Sequence, residues 1–452
     1  MKVQLGEAFP QFVEAINAAQ VTSIRLNPRK TSVVFPEATQ IPWSKWGKYL
    51  KERPQFAADP LIFGGAYYVQ EASSMFLSTA LAQTLNLEED LKVLDLCAAP
   101  GGKSTLILSH LTDNSLLVAN ELMRNRLPSL LENLTRWGAH NRIVTSGEAS
   151  QFQAMQGFFD ALVIDAPCSG EGMFRKDYKA VNMWSEGLVQ SCSSTQRQIL
   201  DEIAPALKTE GILIYSTCTF APQENEQMLS WLSEKEAFQS IKINIPAEWG
   251  IVEEAVETPK GTFYGYRFYP HKIKGEGFFM ACFRKVEETS PPKKHKKNKR
   301  GYGVGKLQVL PRKYHSELSN WIKNVEDCVC FLDDETLRIL PDTHKRNADF
   351  INAVLPYKQI GLEAGKFRKG KLTPAHPLAL SHLLANSVPR QELSYEDAIR
   401  YLRKDDVTIE NTQHTGWVIM TYQDIALGWA KFLPNRINNY YPTEMRLRKE
   451  IL

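Results

Sequence analysis

Lys92-Val93-Leu94-Asp95-Leu96-Cys97-Ala98-Ala99-Pro100-Gly101-Gly102-Lys103-Ser104 is the stretch on which the fold turns. Its first residues form a short, branched apolar run, as a strand buried on both faces requires. Small residues and two glycines follow. They let the backbone turn tightly and approach a ligand before a helix begins. The same rhythm continues to about residue 285. Strand-like runs recur at 115–119, 142–145, 161–164 and 211–215, with helical stretches such as 121–137 and 195–207 between them. Strand-helix alternation predicts a mostly parallel sheet covered on both sides, an α/β Rossmann-like fold. Residues 262–268 and 277–283, joined by a Gly-rich turn, predict an antiparallel hairpin closing it.

Ligands of open sheets bind beyond the carboxyl ends of the strands, so chemistry is sought just after residues 96, 119, 145, 164 and 215. The first turn lacks the dinucleotide fingerprint G-x-G-x-x-G. Gly102-Lys103-Ser104 mimics the end of a phosphate loop, but Cys97 occupies the position of that motif's first glycine. Glu121, after the second strand, suits the hydroxyls of a ribose; the plainer reading is a carboxylate at a helix N-terminus. Glu148, after the third, is a candidate for an adenine edge or an ordinary surface glutamate. These positions point to an adenosine-bearing cofactor without naming its use.

The fourth strand runs into Asp165-Ala166-Pro167-Cys168-Ser169-Gly170 and the fifth into Ser216-Thr217-Cys218-Thr219. Two cysteines and an aspartate thus converge on one rim of one sheet. A lone cysteine after a strand is most often packing. Two at adjacent strand ends suit covalent catalysis on a pyrimidine: a thiolate adds to carbon 6 and makes carbon 5 nucleophilic. Asp165 is a candidate partner for the charge pushed onto N3 and the exocyclic amine. Spacing alone does not say which cysteine attacks.

The three motifs 95–104, 165–170 and 216–219, in this order, resemble the NOL/NOP/Sun family of RNA cytosine-5 methyltransferases. The resemblance implies that Cys218 attacks the base and Cys168 helps release the product. It also implies that Cys97, Ala98, Ala99, Pro100, Gly101, Gly102, Lys103, Glu121, Glu148 and Asp165 contact S-adenosyl-L-methionine. At Glu148 the family more often has Asp. Arg126 is a candidate to neutralise the cofactor carboxylate, or a plain helix-surface arginine. Residues 170–177, 65–75, 267–271 and 275–279 resemble the RsmF-type bacterial branch, which modifies small-subunit ribosomal RNA. Ribosomal RNA within the small subunit is therefore the expected partner, and a monomer the expected state. The same chemistry on transfer RNA is the nearest alternative. A non-catalytic RNA-binding assembly factor is another, and its mark would be loss of Cys218, Cys168 or the Gly-rich turn; all are present. The Pro-Cys-Gln motif of DNA cytosine-5 methyltransferases is absent, as is the Pro-Pro-Tyr turn of N-methyltransferases.

A chain of 452 residues accommodates two to four domains. Pro291-Pro292-Lys293-Lys294-His295-Lys296-Lys297-Asn298-Lys299-Arg300 has no core-forming content and reads as a basic linker. The expected division is an α+β N-terminal RNA-binding extension (1–75), a methyltransferase domain (76–288), the linker (289–303), an intermediate domain (304–375) and a PUA-like β-rich RNA-binding domain (376–452). A net charge of +3 names no partner, so local clusters carry the RNA argument. Arg175 and Lys176 lie close after Cys168 and are candidates for the target phosphate. Lys293, Lys294, Lys296 and Lys297 would add salt-dependent, sequence-independent affinity. The stretch 23–30 mixes basic and apolar residues, suiting either phosphate contact or an ordinary edge strand. Trp429, near Lys431, suits either stacking on RNA or the core.

Seven scattered cysteines without a C-x-x-C pair argue against a disulfide framework or a structural zinc site, and no metal is expected. No apolar run reaches about 18 residues and residues 1–7 lack a signal pattern, so a cytoplasmic location is expected.

Overall fold

The run that opens the sequence argument is a strand because its side chains alternate between two apolar layers. In the computed structural model, which describes residues 1–30, 35–176, 178–235, 237–288, 306–407, 409 and 413–448, it lies inside a ten-stranded sheet. The strands of this sheet are, in chain order, β1 (Lys92–Asp95), β2 (Leu116–Asn120), β3 (Arg142–Thr145), β4 (Phe159–Asp165), β5 (Leu207–Thr217), β6 (Phe238–Ile241), β7 (Val252–Thr258), β8 (Gly261–Phe268), β9 (Phe278–Lys285) and β10 (Lys358–Ile360). Their order is β7-β8-β9-β5-β4-β1-β2-β3-β10, with β6 also paired to β9. From β3 to β5 every pairing is parallel. β8 and β9 form the expected antiparallel closure.

Both faces are dry. Val93, Leu117, Ala119, Val163 and Ile214 enter one core cluster, and Leu94, Leu116, Val118, Ile164 and Tyr215 the other. Adjacent residues thus feed opposite layers, as the two-residue period of a strand dictates. Helices Gly102–His110, Leu127–Trp137, Glu186–Ile203 and Glu226–Glu234 connect the strands. Among the described residues no helix is long and apolar enough to cross a membrane.

The N-terminal part holds a four-stranded antiparallel sheet (Ser23–Leu26, Thr39–Gln40, Gly47–Tyr49, Tyr67–Val69). Its basic stretch points inward, which corrects the phosphate reading of residues 23–30. Arg25 is fully buried. Its guanidinium donates to Gln70 Oε1 (2.8 Å), Ser109 Oγ (3.0 Å) and Thr105 Oγ1 (2.6 Å), and lies 4.3 Å from the Trp137 ring centroid. Lys30 donates to the carbonyls of Gly64 and Arg136, and Arg29 pairs with Asp113 at 2.7 Å. These cations fasten the extension to the helices flanking the sheet.

Beyond residue 306 a five-stranded sheet (308–374) precedes a four-stranded one (390–439). The two share a core containing Leu337, Ile339, Leu378, Ile419 and Trp429. Trp429 is 1 % exposed and donates from Nε1 to the carbonyl of Ala375, so it is core and not a stacking surface. The boundary read between 375 and 376 abuts helix His376–Leu380, which packs on both sheets. The intermediate segment is not independent either: its β10 pairs antiparallel with β3 and completes the methyltransferase sheet. The linker lysines 293, 294, 296 and 297 lie outside the described residues.

Because Arg25 is held by neutral acceptors in a dry joint, Arg25→Ala should destabilise the protein by about 2–4 kcal/mol in chemical unfolding. A change of less than about 0.5 kcal/mol, the usual size for a surface site, would show that the joint bears no load.

Candidate active site

The Gly-rich turn after β1 is gripped from the end of β2. Ala98 N–H donates to Asn120 O (2.8 Å) and Ala99 N–H to Glu121 Oε2 (3.2 Å). Asn120 donates to Leu96 O and Gly147 O, and its Oδ1 accepts from Thr145 Oγ1 and Gly147 N–H. It ties three strand ends together and went unnoticed in the sequence. Asn133 donates to Pro100 O. Gly101 sits at φ 113°, a conformation open to glycine, and turns the chain into helix Gly102–His110. A Cβ on Gly102 would stand 3.4 Å from Tyr68 of the N-terminal sheet.

Three carboxylates surround this turn. Glu121 is buried, with Oε1 accepting from Met123 N–H. Arg126 reaches Glu121 at 3.3 Å and donates to Ala99 O at 2.5 Å. Its head therefore braces the turn, which accounts for the residue without a cofactor carboxylate. Asp95 is fully buried and accepts from Ser104 Oγ (2.6 Å), while its Oδ1 has no partner among the described residues. Burial pushes its carboxyl up to about 7. Asp165 pairs with Lys103 Nζ (2.8 Å) and accepts from Ser216 Oγ (2.9 Å). Burial would lower the Lys103 ammonium, but Asp165, Asp95 and the Cys218 sulfur outweigh it and hold the ammonium above its usual range. Burial pushes the Cys97 thiol up, and its side chain packs against the core. Glu148 is exposed and caps the 3-10 turn Ala149–Met155 in a capping box with Gln151.

The chemical end depends on register. β4 and β5 run parallel with Asp165 opposite Ser216, so their following loops start side by side. Cys168 Sγ lies 3.2 Å from Cys218 Sγ, and Cys218 N–H points at Cys168 Sγ at 3.3 Å. The contact with Cys218, then burial, raises the Cys168 thiol well above its ordinary value. Gly172 N–H donates to Cys218 O at 2.8 Å. A Cβ on Gly172 would meet Gly277 O at 2.4 Å and Cys218 O at 2.8 Å, so three backbones converge behind the Cys218 loop.

Several buried polar residues that sequence reasoning missed hold these loops: Glu171, Gln196, Glu224, Asn225 and Arg267. Asn225 accepts from Thr217 Oγ1 and donates to Thr219 O. Arg267 is 1 % exposed, pairs with Glu226 and donates to Phe220 O. Glu171 and Glu224 stand within a few residues of the two cysteine motifs, and that proximity was the available signal. Arg175 corrects an expectation. Its side chain is 6 % exposed, pairs with Glu276 at 2.9 Å and donates to Ala15 O and Gly275 O. It ties the N-terminal helix Phe9–Asn17 to the site, with each of its three nitrogens already on a protein acceptor. Lys176 is partly exposed, and no partner of its ammonium is found among the described residues.

Sheet order, the Gly-rich turn and the acidic residues at successive strand ends define a Rossmann-like methyltransferase. The family model described as 16S rRNA methyltransferase RsmB/F matches residues 82–284, the RsmF N-terminal domain matches 1–72 and the RsmF PUA domain matches 388–447. The chain belongs to the RsmB/F family and carries the N-terminal and PUA domains of its RsmF members. The ribosomal RNA small subunit methyltransferase F of Enterobacter sp. (strain 638) is 31 % identical, over 97 % of this chain and 92 % of that one. Its Aeromonas hydrophila counterpart is 33 % identical, over 96 % and 93 %. Among solved structures, a methyltransferase homolog protein from Pyrococcus horikoshii matches at 28 % identity and TM-score 0.52, over 62 % of this chain and 91 % of that one. NSun6 from the same organism shares the fold at 19 % identity and TM-score 0.50, over 64 % and 97 %.

Gly172→Ala should force the converging backbones apart. We expect a loss of about 1–3 kcal/mol in chemical unfolding, the usual cost of overpacking. Unchanged stability would mean the loops yield freely.

Proposed function

We propose that this protein methylates carbon 5 of a cytosine in small-subunit ribosomal RNA, through a transient bond between Cys218 Sγ and carbon 6, with S-adenosylmethionine as methyl donor. The observation that carries the reading is the pair of thiols 3.2 Å apart at the ends of β4 and β5, on the rim that holds Asp165 and the Gly-rich turn. A raised Cys168 keeps its proton and presents it to the Cys218 sulfur 3.2 Å away, which leaves Cys218 as the sulfur that attacks. The neighbouring Lys103 ammonium adds a positive field in the same direction.

When bound, S-adenosylmethionine supplies an electrophilic methyl on a sulfonium. The residues around the turn suit it. Asp95 Oδ1 is a buried acceptor lacking a donor, and Glu121, Asp165 and the backbone of 97–103 line the same strand ends. Glu148 and Arg126 are weaker candidates, since each already has a local bonding role. In the reaction Cys218 adds to carbon 6, and Asp165, held by Lys103 and Ser216, meets the N3 and amine edge of the ring. Carbon 5 takes the methyl and then loses its proton to solvent water at the rim; that electron pair restores the carbon 5–carbon 6 double bond as the carbon 6–sulfur bond breaks and its pair returns to Cys218, with Cys168 assisting. A cytosine in a helix must first be unstacked to reach this rim. The extension, Lys176, the linker lysines and the PUA domain are the surfaces we assign to RNA, and one chain supplies the whole site. The family and its relatives favour ribosomal over transfer RNA as substrate.

Cys218→Ala should lower turnover by roughly three orders of magnitude or more, whereas Cys168→Ala should accumulate a protein–RNA adduct, seen as a slow band on a denaturing gel. Full activity in the first, or no adduct together with normal turnover in the second, would sink the assignment. Bisulfite sequencing of ribosomal and transfer RNA from cells with and without the gene separates the two substrates.

A second prediction concerns Asp95. The contribution of its raised carboxyl to folding is full below the unfolded carboxylate range and is lost as pH climbs from there to about 7. Asp95→Asn should therefore raise the ligand-free melting temperature at neutral pH by roughly 2–4 °C, and should abolish most of the stabilisation gained on adding S-adenosylmethionine. A variant that melts lower yet keeps the full ligand shift would remove Asp95 from the cofactor site.

A further inference from the structure

Cys168 is held by its neighbours in the chain. Pro167 O accepts from Gln196 Nε2 at 2.9 Å. On the other side, Ser169 N–H donates to Glu224 Oε2 at 3.1 Å, and Ser169 Oγ lies 2.5 Å from Glu224 Oε1. Gln196 leans on the same carboxyl group, donating to Glu224 Oε2 at 2.7 Å. Both restraints on the Cys168 loop therefore converge on Glu224, which is 0 % exposed and lies in the loop that carries Cys218. The Cys218 loop has anchors of its own. Asn225 binds Thr217 and Thr219, Gly172 N–H binds Cys218 O, and Phe220 N–H binds Glu171 Oε2.

The two loops also meet through the residues just after each cysteine, with Ser169 Oγ and Thr219 Oγ1 2.8 Å apart. Thr219 Oγ1 lies in turn 3.2 Å from Glu171 Oε2. The row Glu224–Ser169–Thr219–Glu171 therefore has three oxygen–oxygen contacts but only two hydroxyl protons. With both carboxyls ionised, one contact would face lone pair against lone pair in a dry setting, which is costly. One carboxyl proton completes the row, and Glu224, 0 % exposed against 8 % for Glu171, is the costlier of the two to leave ionised; with the proton on its Oε1, Glu224 donates to Ser169, Ser169 to Thr219 and Thr219 to Glu171. Oε2 remains free to accept its two N–H donors, so every atom is satisfied.

We propose that Glu224, as the neutral acid, is a positioning residue for Cys168, and that release of the methylated base depends on it while formation of the Cys218 bond does not. This rests on the covalent reading above. Losing Glu224 frees the Ser169 flank of Cys168 and leaves the Pro167 flank on Gln196, then held by Tyr215 Oη alone, while Cys218 keeps its separate anchors, so the two half-reactions part. Displacing a reacting group by about 1 Å costs on the order of a hundredfold in rate.

The experiment follows adduct and product on denaturing gels in single-turnover assays with the full-length enzyme and small-subunit RNA. Glu224→Ala, with Cys168 intact, should form the adduct within about threefold of the wild-type rate and release it roughly ten to a hundred times more slowly. Glu224→Gln, which reproduces the neutral acid's donor and acceptors, should restore release. Should Glu224→Ala fail to fold by circular dichroism, Ser169→Ala takes its place and should also accumulate adduct. Cys168→Ala runs alongside. An adduct there with none in Glu224→Ala and Ser169→Ala overturns this inference alone, and no adduct together with normal turnover in Cys168→Ala overturns the covalent reading beneath it. Formation and release slowed equally, or Glu224→Gln behaving as Glu224→Ala, would also overturn the proposal, the first outcome marking a merely structural role and the second an ionised carboxylate.

Discussion

The parallel register of β4 against β5 is the constraint on which the rest of the site depends. Asp165 opposite Ser216 means that the loops leaving the two strands begin a single strand spacing apart. Everything downstream uses that start: the sulfur–sulfur contact, the Ser169–Thr219 contact one residue on, and the Gly172 N–H on Cys218 O. A slip by one residue in a strand inverts every side chain. Such a slip would turn the Asp165 carboxylate away from Lys103 and bury it among the aliphatic residues of the opposite layer. The sheet's two dry cores fix the register, so the chemistry is specified by apolar packing well below the rim.

The site is built in two electrostatic styles. At the cofactor end, charges are paired or wait for a partner: Lys103 with Asp165, Arg126 with Glu121, and Asp95 with one oxygen unsatisfied. At the thiol end, buried polar groups form a closed network of hydroxyls, amides and carboxyls in which almost nothing faces solvent. Such networks are rigid when every member is bonded and costly when one is not. The first style suits a ligand that comes and goes. The second, on the covalent reading proposed above, suits two sulfurs whose separation must be kept through bond making and breaking.

Much of this was legible in the residues. The five parallel strands and the closing hairpin followed from short branched runs, and the strand-end rule located the rim. The motifs around Cys168 and Cys218 carried the family. What stayed hidden was partnership across long sequence distances. Arg175 read as a phosphate binder, and the stretch holding Arg25 and Lys30 as either a phosphate contact or a solvated edge strand, because basic residues usually face water; each is instead spent on a carbonyl, a hydroxyl or a carboxylate far along the chain. Glu224 and Gln196 drew no reading at all, because burial, which gives them meaning, is a property of the fold. The C-terminal boundary was blurred for a similar reason, since two sheets share one core and no break in composition marks their junction.

β10 carries a consequence for how the protein is made. The edge of β3 is an unpaired row of amides and carbonyls until Lys358–Ile360 arrives. Bare edges of this kind template pairing with other chains. During synthesis the catalytic half emerges first and must wait, edge open, for a segment translated long afterwards. The enzyme thus cannot be cut between residues 288 and 306 into self-sufficient halves: the part that holds the Gly-rich turn and both thiols borrows its last strand from the part that follows.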